Sequence, residues 1–172
     1  MIGDTIFFKK DESSFISRII SKMTNSDFSH VGIIISYSEV NNVVTVIESD
    51  RFVNTRINLV TLNEDKHIIY TTGEKTEEQI EMILKYANDS IGVKYDYLQI
   101  FGLFLSLLFK RRESAWFNST NKLICSELID YSYYIGGIKR IDNKNIGNIL
   151  PEELIAKYSM YKRVDWIVWH YI

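Results

Sequence analysis

His30-Val31-Gly32-Ile33-Ile34-Ile35 and, beyond a polar turn at Ser38 to Asn42, Val43-Val44-Thr45-Val46-Ile47-Glu48 decide how this chain folds. The first run is largely β-branched, too short for a buried helix and too apolar for a strand with one face in water, so it predicts a central strand. The second predicts its antiparallel hairpin partner. A carboxylate near the end of a buried apolar strand is costly without a cation or donor beside it. Glu48 occupies that position; His30 is the nearest candidate partner, and Asp50 is the competing carboxylate. Register decides whether they meet. A loop centred near Glu39 or Val40 puts His30 opposite or diagonal to Glu48 on one face, with Cβ atoms ~4.5–8 Å apart. A two-residue turn at Asn41-Asn42 sends the two side chains to opposite faces.

Outward from the hairpin, Asp4-Thr5-Ile6-Phe7-Phe8 predicts a short strand before it. Phe52-Val53, Ile57-Leu59-Val60 and His67-Ile68-Ile69-Tyr70-Thr71 predict further extended segments after it, so the middle of the chain builds an antiparallel sheet. Helices punctuate it. Phe15, Ile16, Ile19, Ile20 and Met23 share one face of an amphipathic helix that Ser13 can cap and that ends near Thr24-Asn25. Thr76-Glu77-Glu78-Gln79 has the form of a capping box, and Ile80, Ile83, Leu84 and Ala87 continue it as a helix to about Asn88. Tyr97 to Phe109 is almost wholly apolar and closes on Lys110-Arg111-Arg112, yet it falls short of the ~20 residues a bilayer span needs. It reads as a core helix or a cover over the active-site groove, or else as a membrane-facing or acyl-binding surface with a basic edge. Ser114 to Lys122 reads as loop, Pro151 to about Lys157 as a short helix, and Val164 to Tyr171 as a last strand.

Cys125 is the single cysteine of the chain, in Leu123-Ile124-Cys125-Ser126-Glu127-Leu128-Ile129. Apolar residues recur from there at helical spacing until Gly136-Gly137, so Cys125 opens a helix. A lone cysteine is commonly a small buried apolar residue. At a helix start, however, unpaired N–H groups and the helix dipole favour thiolate over thiol, the form that attacks carbonyl carbon. Cys125, His30 and Glu48 together are the parts of an acyl-transfer site: nucleophile, base, and a carboxylate that fixes the imidazole. His67 and His170 are rival bases, but their contexts, a strand after a charged loop and the chain end, predict surface positions.

Composition narrows the rest. A chain of 172 residues, 46% hydrophobic and 24% charged, fits one globular domain over residues 1–172. A net charge of −2 supplies no basic field for nucleic acid. One cysteine allows no internal disulfide, and with three scattered histidines it offers no zinc-ligand spacing; no metal or cofactor is implied. The opening residues, with Lys9-Lys10-Asp11-Glu12 interrupting any apolar run, lack a secretory pattern, which predicts a cytoplasmic setting with membrane-peripheral contact through Tyr97 to Phe109 left open.

The sequence resembles the permuted papain-like amidases of the YiiX/YaeF type, relatives of the NlpC-type cell-wall endopeptidases. The resemblance rests on Gly3-Asp4-Thr5-Ile6-Phe7-Phe8, Phe28-Ser29-His30-Val31-Gly32-Ile33, Val46-Ile47-Glu48-Ser49, Gly92-Val93-Lys94-Tyr95-Asp96 and Ile124-Cys125-Ser126-Glu127-Leu128, which together span most of the chain. In the unpermuted relatives the cysteine precedes the histidine; here His30 and Glu48 come first, as in the permuted branch. The resemblance implies an α+β, papain-like, circularly permuted NlpC-type fold, an antiparallel sheet or half-barrel packed with helices. It also implies Cys125 as nucleophile, His30 as base and Glu48 as orienter. Through the Gly-x-x-Tyr element it implies Tyr95 as a donor to the oxyanion or a substrate contact, beside the backbone N–H of Cys125.

Branches of that superfamily act on peptide amides and on lipid acyl groups. The expected function is therefore hydrolysis of an amide bond in a small peptide or acylated amine through a thioester. Lipid acyl hydrolysis or transfer at the same site, and a non-catalytic binding module, are the alternatives.

Overall fold

The computed structural model describes residues 1–10, 27–50, 54–95, 122–144, 146–147, 149–164 and 166. In chain order these form β1 (Thr5–Lys9), β2 (Phe28–Ser38), β3 (Val43–Ser49), β4 (Thr55–Thr61), β5 (His67–Thr71), α1 (Glu77–Asp89), β6 (Lys94–Tyr95), β7 (Lys122–Leu123), α2 (Cys125–Ile135), α3 (Pro151–Lys157) and β8 (Tyr161–Lys162). The architecture is α+β. Six strands make one open sheet in the order β4-β3-β2-β1-β5-β8, antiparallel throughout, and β6 pairs with β7 in a separate parallel ladder.

Alternation along the strands sorts side chains between two buried clusters. Phe7, Val31, Ile33 and Ile47 pack with Ile83 and Ala87 of α1, Leu128, Ile129 and Tyr133 of α2, and Leu154 of α3. On the other face Ile6, Ile34, Val44, Val46, Val60 and Ile69 cluster with Leu62 and Trp166. Each fully buried side chain of this size contributes about 1.5–3 kcal/mol, which explains why β2, buried on both faces, reads as an unbroken apolar run.

The helices begin and end where their sequences dictate. Thr76 caps α1: its hydroxyl accepts from Gln79 N at 3.2 Å, while Gln79 Oε1 accepts from Thr76 N at 3.0 Å. Gly136 caps the end of α2 and Gly137 takes φ +68°, a left-handed turn that costs glycine little. A side chain on Gly136 would fall 2.5 Å from Ile83, so its bareness also lets α1 and α2 close together. Tyr133 ties α2 to the sheet, donating to Gly3 O at 2.9 Å with Thr5 Oγ1 at 2.8 Å.

Two buried ion networks brace the fold. Asp4, ahead of β1, holds Lys75 Nζ at 2.7 Å and Arg163 Nη1 at 2.6 Å, joining the two ends of the described chain. Asp130 of α2 holds Arg140 Nε at 3.0 Å and accepts from Gly147 N and the Tyr158 hydroxyl at 2.8 and 2.7 Å. Buried charges persist only when paired and hydrogen-bonded in this way.

Two expectations need correction. Among the described residues the last strand is Tyr161–Lys162, paired with Tyr70 and Thr71, and Arg163 N bonds Ile69 O; Val164 and Trp166, the described residues of the strand expected at Val164 to Tyr171, are not in a strand. Residues 165 and 167–171 of that expected strand lie outside the described residues. Lys122, expected in a loop, pairs with Lys94 in β7. The helix expected from Ser13 to Asn25, the Phe52-Val53 segment and the apolar segment Tyr97 to Phe109 also lie outside the described residues. Among the described residues no helix is long and apolar enough to cross a membrane.

Candidate active site

Beside the turn the hairpin takes neither expected register, because its loop runs from Glu39 to Asn42. Next to the turn, Ser38 faces Val43, Tyr37 faces Val44 and Ser36 faces Thr45. Continued unbroken, that register would set His30 and Glu48 on opposite faces. Between Ile34 and Ser36 the ladder shifts, so that Ile34 faces Val46 and Ile33 faces Ile47. Ile35 is the extra residue of a β-bulge, and it returns His30 to the face of Glu48. His30 Nε2 then lies 3.1 Å from Glu48 Oε2.

Cys125 belongs to the helix-side cluster, whereas His30 alternates with the opposite face. They meet because His30 is the third residue of β2 and Cys125 the first of α2, and both stand at one end of the sheet. Ser49, next to Glu48, fixes that junction by donating its hydroxyl to Leu123 O at 2.8 Å. Cys125 is near enough to the imidazole to act on its charge alongside Glu48.

The residues flanking the cysteine hold the helix start. Glu127, 1% exposed, accepts from Ile124 N at 2.9 Å, closing the first turn at the positive end of the helix. Ser126 donates to Ile149 O at 2.6 Å. The first-turn N–H of Cys125 has no acceptor within the helix, leaving a donor beside the sulfur.

Electrostatics favour the charged imidazole. Burial alone would discharge it, but its interactions with Cys125 and with the Glu48 carboxylate push the His30 pKa up to about 10. Burial likewise opposes the Glu48 carboxylate, and the His30 hydrogen bond and charge, followed by Arg56, hold its pKa below the usual value.

Sequence reasoning missed the other half of the carboxylate's shell. Glu48 Oε1 accepts from Arg56 Nε at 3.2 Å and Asn58 Nδ2 at 3.0 Å, and Arg56 Nη2 also reaches it at 3.2 Å. Asp50, the competing carboxylate, accepts from the same Nη2 at 2.6 Å. The signal was present: β4 alternates Arg56 and Asn58 with Ile57 and Leu59, and here the apolar pair is exposed at 52% and 70% while the polar pair turns inward.

His67 is buried rather than at the surface. Its Nδ1 accepts from Asn63 N at 3.1 Å across the tight β4–β5 connection. Its ring packs edge-on to Phe8, which also contacts His30, at centroid distances of 5.0 and 5.1 Å. Burial, with Lys66 and Lys9 nearby, pushes its pKa down. His170 lies outside the described residues. Tyr95 pairs through its backbone with Leu123, close to Cys125 along the chain; the expectation for its hydroxyl falls outside what is described. Among the described residues no cluster of His, Cys, Asp and Glu could hold a metal ion.

No family model matches the chain, and no curated protein matches it.

Proposed function

We propose that this chain is a thiol hydrolase of the permuted papain-like kind, cleaving an amide bond in a small peptide or acylated amine. One observation carries the reading: the His30 imidazole is hydrogen-bonded to the buried Glu48 carboxylate and interacts electrostatically with Cys125, the first residue of a helix. A buried structural cysteine needs no such neighbour, and a binding module gains nothing from a carboxylate buried beside a histidine.

The chemistry follows from the pair. The Cys125 thiolate attacks the carbonyl carbon, and the carbonyl π electrons move to oxygen, toward the Cys125 N–H. The tetrahedral intermediate collapses to a thioester as the C–N bond breaks and the imidazolium of His30 gives its proton to the departing amine. Neutral His30 then takes a proton from water as its oxygen attacks the thioester. Collapse expels the thiolate and releases the acid, leaving thiolate and imidazolium as at the start. Glu48 remains ionised and hydrogen-bonded to Nε2 throughout, steadying each imidazolium as it forms.

The test is a panel of γ-glutamyl and lysyl peptides beside short-chain esters and phospholipids, assayed with the wild type and Cys125→Ala. Cys125-dependent amide cleavage is expected. Turnover confined to phospholipids would replace the amide reading with the lipid one, and activity surviving in Cys125→Ala would end the mechanism.

A further inference from the structure

Resting on the thiol-hydrolase reading, we infer that Arg56 is a positioning residue whose permanent charge keeps Glu48 ionised during the half of the cycle in which His30 has given up its proton. The carboxylate is divided between two cations of different kinds. Oε2 faces the imidazole, whose charge comes and goes with each turnover; Oε1 faces a guanidinium that does not titrate. The Glu48 side chain is only 4% exposed, so water cannot replace a missing counter-ion. In the thioester intermediate the imidazole is neutral, and a carboxylate paired with it alone would draw a proton to itself. A neutral Glu48 could not stabilise the imidazolium that must form as water is deprotonated.

Arg56 removes that failure, and its surroundings hold it in place. Asp50 holds its Nη2 at 2.6 Å, and Asn58 supplies Oε1 with a second donor, leaving Oε2 directed at His30. The resulting line, Asp50, Arg56, Glu48, His30, Cys125, alternates negative and positive groups from the sheet edge to the sulfur. Arg56 therefore acts mainly on thioester hydrolysis, when the imidazole starts neutral, and little on thioester formation, when it starts charged.

The probe is p-nitrophenyl acetate, whose leaving group needs no proton, with release of p-nitrophenolate followed in the pre-steady and steady states. In the wild type a burst that vanishes in Cys125→Ala reports acylation, and the later rate reports deacylation. In Arg56→Met the burst should persist while the steady rate falls about tenfold, with Arg56→Lys recovering most of it. Asp50→Asn, which loosens the guanidinium without removing it, should shift the steady rate in the same direction by less. Equal loss of burst and steady rate across the Arg56 variants, or no change in either, overturns the inference while leaving the hydrolase reading standing. A wild-type protein without any Cys125-dependent burst overturns both.

Discussion

Gly32 sits so close to the strand carrying Glu48 that a methyl group added to it would stand 3.4 Å from Glu48 Cβ and 3.3 Å from Ile47 O. The missing side chain lets the carboxylate lie against β2 and reach His30. Gly32→Ala is therefore expected to displace Glu48 by a few tenths of an ångström. Stability should fall by about 1–3 kcal/mol, typical of overpacking, and thiol reactivity about tenfold. Urea melts and alkylation rates measured on one preparation check this. Lost stability with unchanged reactivity would show that the glycine serves packing alone.

Removing the sulfur should spare the fold. Cys125 is small and its helix start is held by Ser126, Glu127 and Ser49, so Cys125→Ala should cost about 1 kcal/mol while abolishing turnover. Thermal melting and the substrate panel check the two halves.

Thiol activation should depend on the imidazole. Iodoacetamide should label Cys125 in the wild type at mildly acidic pH and label His30→Ala at least about tenfold more slowly. Glu48→Gln should fall between them, because the imidazole keeps one hydrogen-bond partner but loses a charge. Equal, slow labelling in wild type and His30→Ala would favour a binding module.

The pair also predicts how stability varies with pH. The His30 pKa is raised from 6.5 to about 10, so its contribution is complete below 6.5 and is lost as pH climbs toward 10. The Glu48 pKa is lowered from 4.5, so its contribution is complete above 4.5 and is lost as pH falls through the depressed value. Both are whole between 4.5 and 6.5, where the melting temperature of the wild type should exceed that of Glu48→Gln by most. Differential scanning calorimetry across that range measures the gap; a pH-independent gap contradicts the pairing.

Asp130→Ala should be the most damaging of these substitutions to the fold. It takes the carboxylate from Nε and Nη2 of Arg140, whose side chain is only 2% exposed and keeps Asp142 through Nη1 alone, and it removes the acceptor shared by Gly147 N and the Tyr158 hydroxyl. Breaking a buried pair by deleting one partner costs about 3–5 kcal/mol. Denaturant unfolding checks it, and Cys125 labelling in the native fraction should stay near wild type, since the network lies away from the thiol end of α2.

Strands β1 to β5, the helix starts and the parts of the candidate site were legible in the sequence because each has a local cause. Unbroken apolar runs mark β2 and β3, the Thr76 capping box marks α1, and Gly136-Gly137 ends α2. What was illegible came from pairing between distant segments. The bulge at Ile35 lies in a run of three isoleucines with nothing to mark which is extra. Arg56 and Asn58 face inward on an edge strand, reversing the usual pattern, because Glu48 across the ladder needs donors more than Ile57 and Leu59 need shelter. His67 is buried because a turn amide and the Phe8 ring claim it, a use its charged neighbours in sequence conceal.

The β6–β7 ladder sets Lys94-Tyr95 beside Lys122-Leu123, two segments far apart in sequence that pair immediately ahead of Cys125. Pairing of this kind is made by backbone groups. Side chains at these positions can thus be exchanged by descent without moving the start of α2, which leaves the approach to the sulfur free to drift.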